Sequence, residues 1–151
     1  MKIIRDTREK VGYWDFSFYG HEEHISKLDT GDYSLIGYEH IICIERKKSV
    51  YEIAINVGKD SKRFEAELER MKEFKYKYLI LEFSVADLLS NKIIPNMKTK
   101  TGKPIRIRGP WVLSRLNDYE KDYEIDVIFA GSKDGAMEVA LEIFGEVLND
   151  R

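Results

Sequence analysis

The chain has 151 residues, of which 43% are hydrophobic and 34% charged, with a formal net charge of −2. This balance excludes a disordered or fibrous chain and predicts one soluble domain over residues 1–151, large enough to bury a core. No global field draws such a chain to nucleic acid, so any affinity of that kind must come from local basic patches.

In chain order, residues 1–5 form a short strand that stops at Asp6-Thr7-Arg8-Glu9-Lys10. Residues 21–28 have mixed periodicity and read as a short helix or a strand edge. Their histidines, His21 and His24, lack further ligands at zinc spacing and read as exposed helix residues. Asp29-Thr30-Gly31-Asp32 has turn chemistry, and residues 33–36 and 40–44 read as a hairpin through Gly37. The single cysteine, Cys43, lies in the second of these strands and reads as a small buried residue. One cysteine excludes an internal disulfide framework. With no leader-like start and no apolar run of spanning length, the expected setting is intracellular and reducing, cytoplasmic or nucleoid-associated, without a membrane.

A helix over residues 49–57 places Val50, Ile53, Ala54 and Val57 on one side and stops near Gly58. A second, over 61–74 with Ser61 as N-cap, sets Phe64, Leu68 and Met71 on its core face. Residues 78–83 read as a central strand, 85–89 as a short helix, and the polar stretch 91–108 as a loop. Gly109-Pro110 precedes a helix over 111–117, a strand follows over 124–130, and an amphipathic helix closes over 133–148. Alternating strands and helices predict an α/β sandwich around a mixed sheet.

The chemistry concentrates at Asp32 and at Glu45-Arg46-Lys47. Alternate strand residues share a face, so Glu45 and Lys47 point one way and Arg46 the other. If the two strands pair, Asp32 joins Glu45 around one divalent cation, since magnesium keeps several waters and needs few protein carboxylates. Lys47 then orients or deprotonates a water, or neutralises transition-state charge. A strand whose charged end meets solvent is the plain alternative.

Further segments decide between them. Asp6-Thr7-Arg8-Glu9, Gly31-Asp32-Tyr33, Ile44-Glu45-Arg46-Lys47, Arg63-Phe64-Glu65-Ala66-Glu67-Leu68 and Leu79-Ile80-Leu81-Glu82 occur in one order. With Gly109-Pro110 and Ile128-Phe129-Ala130-Gly131, they give a chain that resembles the XPF-type structure-specific endonucleases over nearly its whole length. That family is a branch of the restriction-endonuclease-like superfamily, so the resemblance implies a three-layer sandwich with a central mixed β-sheet flanked by helices. The likeness is to compact single-domain bacterial or phage members, without the tandem helix-hairpin-helix module. The family's acid four residues after the motif lysine is absent, because Tyr51 stands there; Glu52 follows one residue later as the candidate substitute.

The resemblance implies a DNA endonuclease that uses Mg2+ or Mn2+ and cuts flaps, forks or junctions in repair or recombination. Asp32 and Glu45 are the candidate metal ligands, with the Arg46 carbonyl a third, and Lys47, Asp6 and Arg46 complete the catalytic set. Asp6 and Glu9 line the same pocket or form a surface turn, and Arg46 belongs to the site or to a salt bridge on the other face. Arg63 bonds a phosphate or ties to Glu67, and Glu82 is expected to pair with Arg63 or Lys47. Lys98, Lys100, Lys103, Arg106 and Arg108 are the chief candidates for DNA-backbone contact, against a merely solvated loop. The family also implies a homodimer, for which Val139, Ile143, Phe144 and Val147 offer apolar area. The rivals are a non-catalytic DNA-binding or scaffolding module of the same fold, and a restriction-like or junction-resolving nuclease.

Overall fold

The computed structural model describes residues 1–90, 98, 100–104 and 106–150. Six strands form one mixed sheet: β1 (Lys2–Arg5), β2 (Glu22–Ile25), β3 (Tyr33–Leu35), β4 (Ile42–Lys47), β5 (Tyr76–Leu81) and β6 (Asp126–Phe129). Their spatial order is β2-β1-β3-β4-β5-β6. β3 runs antiparallel to both β1 and β4, while β4, β5 and β6 are mutually parallel, as crossover helices require. The segment around residues 21–28 therefore resolves as an edge strand, parallel to β1, and not as a helix.

Among the described residues five helices cover the sheet: α1 (Val50–Val57), α2 (Ser61–Met71), α3 (Val85–Ser90), α4 (Gly109–Tyr123) and α5 (Lys133–Asn149). The sheet's period of two sorts its side chains between two cores. Cys43, Leu79 and Leu81 pack with Ile53, Phe64, Leu68 and Val112 from α1, α2 and α4. Ile42, Ile44 and Ile80 face α5 instead, with Trp14 and Phe16. The fold is thus the helix–sheet–helix sandwich the pattern predicts.

Several boundaries shift for local reasons. α2 starts from Asp60, whose carbonyl accepts the Phe64 amide at 3.0 Å, so Ser61 is the first helical residue and not the cap. α4 begins at Gly109 and takes Pro110 into its first turn, where a missing N–H costs nothing. It runs on to Tyr123 because Val112, Leu116 and Tyr119 continue one buried stripe. Residues 11–20, which show no period, hold a 3-10 turn over Phe16–Tyr19, and Trp14 stacks on Tyr33 with ring centroids 4.6 Å apart. His24 lies on β2 and His21 just before it.

Ile143, Phe144 and Val147, taken above as dimer surface, are buried against the chain's own sheet, and Val139 packs beside them. A helix stripe serves the nearest apolar face first, and α5 is the cover of this one. No described helix is long and apolar enough to cross a membrane.

Candidate active site

β4 ends in Glu45-Arg46-Lys47, all three of them buried. Glu45 and Lys47 project to the α1–α2 side and line a cleft of about 360 Å³ with Asp32, Asn56, Arg63 and Glu67. Asp32 precedes β3 and is fixed by its backbone: its amide donates to Ile44 O and its carbonyl accepts from the Asp6 amide, both at 2.8 Å. Gly31 makes this approach feasible. Its φ is +86°, and an added Cβ would lie 2.5 Å from Cys43 Sγ, so a side chain there would displace β4.

One oxygen of Asp32, Oδ2, accepts the Arg46 amide at 2.8 Å, and Lys47 Nζ lies 3.3 Å from Glu45 Oε1. Burial, then the charge of Glu9, pushes the Asp32 carboxyl up to about 7. Burial, then the charge of Asp32, pushes Glu45 well above the carboxylate range, with Lys47 opposing. Burial would lower Lys47, but Glu45 and Glu67 outweigh it and hold the ammonium above its usual value. The site thus places two buried acids, Asp32 raised by burial and Glu9, and Glu45 raised by burial and Asp32, beside a lysine that remains charged.

Among the described residues no three His, Cys, Asp or Glu side chains converge as a metal-ligand cluster. Two crowded carboxylates with hard oxygens still fit a magnesium-like ion, which keeps most of its waters. The cleft wall adds a second observation, since Asn56 Oδ1 is buried and has no hydrogen-bond partner. It is an acceptor left for something the cleft receives.

The other sequence candidates separate. Asp6 lines the cleft, but both its oxygens are engaged: Oδ1 by the Leu28 amide at 2.8 Å, and Oδ2 by Arg8 Nε at 2.7 Å and the Arg8 amide at 3.1 Å. Burial opposes but these bonds prevail, so its carboxyl sits below the usual range. Asp6 therefore clamps the strand end. Glu9 does not line this cleft; its Oε2 accepts the Tyr33 hydroxyl at 3.2 Å and lies 3.3 Å from Arg46 Nη1. Glu82 pairs with neither Arg63 nor Lys47. Its Oε2 accepts Trp14 Nε1 and lies 3.1 Å from Arg46 Nε, while burial raises its carboxyl and Arg46 opposes. Parity explains this: Glu82 is two residues beyond Ile80 and, like Arg46, belongs to the α5 face.

Arg46 is thus on the opposite side of the sheet from Lys47, held also by Gly12 O at 2.6 Å, with no hydrogen-bond partner for Nη2. Glu52 is not in the cleft wall. Its carboxylate accepts the Lys48 amide at 2.8 Å and its own amide donates to Ser49 Oγ, so it belongs to the cap of α1. Arg63 does line the cleft, exposed and with no ion pair among the described residues. Lys98, Lys100, Lys103, Arg106 and Arg108 are all exposed.

Asn56, Glu67, Arg70 and Arg8 join the lining without having been site candidates in the sequence, where Glu67 entered only as a possible tie for Arg63. Three of them had a signal. Arg63, Glu67 and Arg70 repeat the spacing of Phe64, Leu68 and Met71 one residue earlier, which puts them on the row beside the core face. Arg8 stands in the opening acidic motif. Asn56 had none.

Several solved chains share this architecture. XPF from Aeropyrum pernix superposes with a TM-score of 0.68 at 18% identity, covering 100% of this chain and 66% of that one. XPF from Aeropyrum pernix in complex with DNA gives 0.70 at 19% identity, covering 99% and 66%. The chain therefore spans just under two thirds of either, and at such identity the likeness shows the fold. No curated protein matches by sequence. A sequence model of the ERCC4 domain, however, matches residues 5–141, and the chain belongs to the ERCC4 domain family, the XPF-type nuclease domains.

Proposed function

We propose that this protein is a divalent-metal-dependent DNA endonuclease acting on branched DNA such as flaps, forks or junctions. The observation that carries the reading is the placing of two buried carboxyls, Asp32 and Glu45, both raised above their ordinary range, in one cleft with Lys47. Two carboxyls desolvated in one cleft, the charge of Asp32 raising Glu45, are a poor structural device and a good cation site. Asp32 and Glu45 would hold Mg2+ or Mn2+, which when bound would polarise the scissile phosphate and lower the pKa of a water.

The chain's own residues supply the rest. The acids around Lys47 hold its ammonium above its usual value, which suits it to neutralising charge on the phosphate or the leaving oxygen. Arg63 and Arg70 offer guanidinium groups to flanking phosphates at the cleft rim, and the basic stretch from Lys98 to Arg108 extends backbone contact. Arg46 fixes Asp32 through its backbone amide. The intact trio of Asp32, Glu45 and Lys47 argues against a scaffolding module that has lost its chemistry.

The test is incubation with labelled flap, fork, junction and linear duplex DNA, with and without magnesium or manganese. Metal-dependent cutting of branched substrates is expected. Absence of cutting on every substrate, or full activity in Glu45→Gln, overturns the reading.

A further inference from the structure

A hollow of about 270 Å³ opens at the start of α4, bounded by Arg106, Ile107, Arg108 and Trp111. Its base is Ile107, 6% exposed. That side chain is seated on Gly58, where an added Cβ would overlap Ile107 Cδ1. One side is Trp111, whose surface is 45% exposed. An indole gains most from burial, so one left this open is available to another flat apolar surface. Arg106 and Arg108 are exposed, and among the described residues neither side chain has a hydrogen bond or an ion pair. Gly58 stands between Asn56 and Asp60, both of which line the catalytic cleft. The hollow is therefore built against the same α1–α2 connection as the cleft.

We propose that this hollow binds an unpaired nucleotide of the DNA substrate, its base stacked on Trp111 and its flanking phosphates on Arg106 and Arg108. The proposal rests on the nuclease reading above and adds to it a site for the single-stranded arm. Its logic is chemical. Base faces in a duplex are covered by their neighbours, so a free indole has nothing there to stack on; an unpaired base offers its whole face. An apolar peptide would use the Trp111 surface but would leave two uncommitted cations beside it. Single-stranded DNA uses both. A nucleotide held here beside the cleft places the strand leaving the duplex next to Lys47 and its acids, which favours cutting near a duplex–single-strand transition.

The measurement can be made on the whole chain in chelator, where cleavage plays no part. Trp14 is fully buried, so a change in tryptophan emission on adding a short oligothymidylate reports Trp111. Saturable quenching is expected. With a labelled oligothymidylate, Trp111→Ala should weaken binding about 10- to 100-fold and Trp111→Phe much less, because phenyl still stacks. Affinity for a blunt duplex should be unchanged in both, and R106Q/R108Q should reduce the salt dependence of single-strand binding. Binding without quenching overturns the proposal, as does an equal loss for single strand and duplex in Trp111→Ala. Quenching in a protein that cuts no substrate with magnesium or manganese would remove the nuclease reading and leave this site standing. Cutting by a protein whose Trp111→Ala variant binds oligothymidylate normally would do the reverse.

Discussion

The burial of Asp32, with the charge of Glu9 near it, predicts that an acid proposed to hold the cation harms stability. Asp32 has an ordinary carboxyl value of 3.8 and about 7 in the fold, so the folded state holds its proton over a range where the unfolded chain has lost it. Stability from this group is therefore undiminished below pH 3.8 and declines as pH rises toward about 7, beyond which the full penalty is present. A gap of roughly three pH units at roughly 1.4 kcal/mol each sets that penalty at no more than about 4 kcal/mol. Asp32→Asn removes the charge at nearly constant volume, and its amide oxygen can still accept the Arg46 N–H. In chelator at pH 8 the variant should melt above wild type, by up to ~10 °C for a chain of this size. At pH 4 the two should converge.

Metal should reverse the trend. At a concentration a hundredfold above its Kd, a bound ion stabilises wild type by about 2.7 kcal/mol, and the variant, short of one ligand charge, should gain far less. Calorimetric melts at pH 4, 6 and 8, each in chelator and in magnesium, contain the whole test. A variant that melts at or below wild type in chelator at pH 8, or that gains as much from magnesium, would refute the argument that Asp32 is buried at a cost in stability at a cation site.

Other outcomes are expected from the same geometry. Lys47→Ala should lower turnover much more than DNA affinity, because its charge acts as the transition state forms; a defect confined to binding would make it a backbone contact. Arg46→Met should cost about 3–5 kcal/mol in urea denaturation by leaving Glu9 and Glu82 buried without their cation, and a loss near zero would contradict the observed pairing. Neutralising Lys98, Lys100, Lys103, Arg106 and Arg108 together should flatten the salt dependence of DNA binding by about one unit of slope per lost phosphate contact. An unchanged slope would make that stretch a solvated loop. Phe144→Glu should unfold the protein, since Phe144 is fully buried on the sheet-facing side of α5, and a folded variant of altered oligomeric state would contradict that packing.

The alternation of Glu45, Arg46 and Lys47 was legible because a strand's period is a local property of the backbone. So was the amphipathic face of α2, read from Phe64, Leu68 and Met71 alone. What escaped depends on which element covers which face. Glu82 was correctly seen as a buried acid in need of a cation, yet its partner was sought on the wrong side of the sheet, although its parity with Ile80 already settled the matter. Glu52 looked like a displaced ligand because its spacing was compared with a motif. The competing local demand was the Ser49 cap, and a carboxylate three residues after a capping serine is well placed to serve it. Trp14 and Phe16 gave no periodic signal, since their burial is decided by long-range packing against Tyr33 and Phe144.

The three motif residues of β4 divide the work between the two faces of the sheet. Glu45 and Lys47 meet the cleft, while Arg46, turned the other way, is gripped by Glu9, Glu82 and the Gly12 carbonyl. Its backbone amide nonetheless reaches back to Asp32, the acid that Gly31 brings close to β4. Anchoring the Arg46 side chain therefore immobilises the amide that orients an acid of the cleft, although the side chain itself never enters it. The opening acidic segment fits the same scheme: Asp6 clamps the end of β1, and Glu9 secures Arg46 from beyond it. Residues far apart in sequence that appear to be a list of catalytic acids are thus two sets, one facing the cleft and one holding the strand end that carries it. Loss of activity on mutating either set would look alike in a single assay. Stability separates them at neutral pH: removing Arg46 leaves Glu9 and Glu82 without their cation and should cost stability, whereas neutralising Asp32 removes a charge that burial already penalises and should add to it.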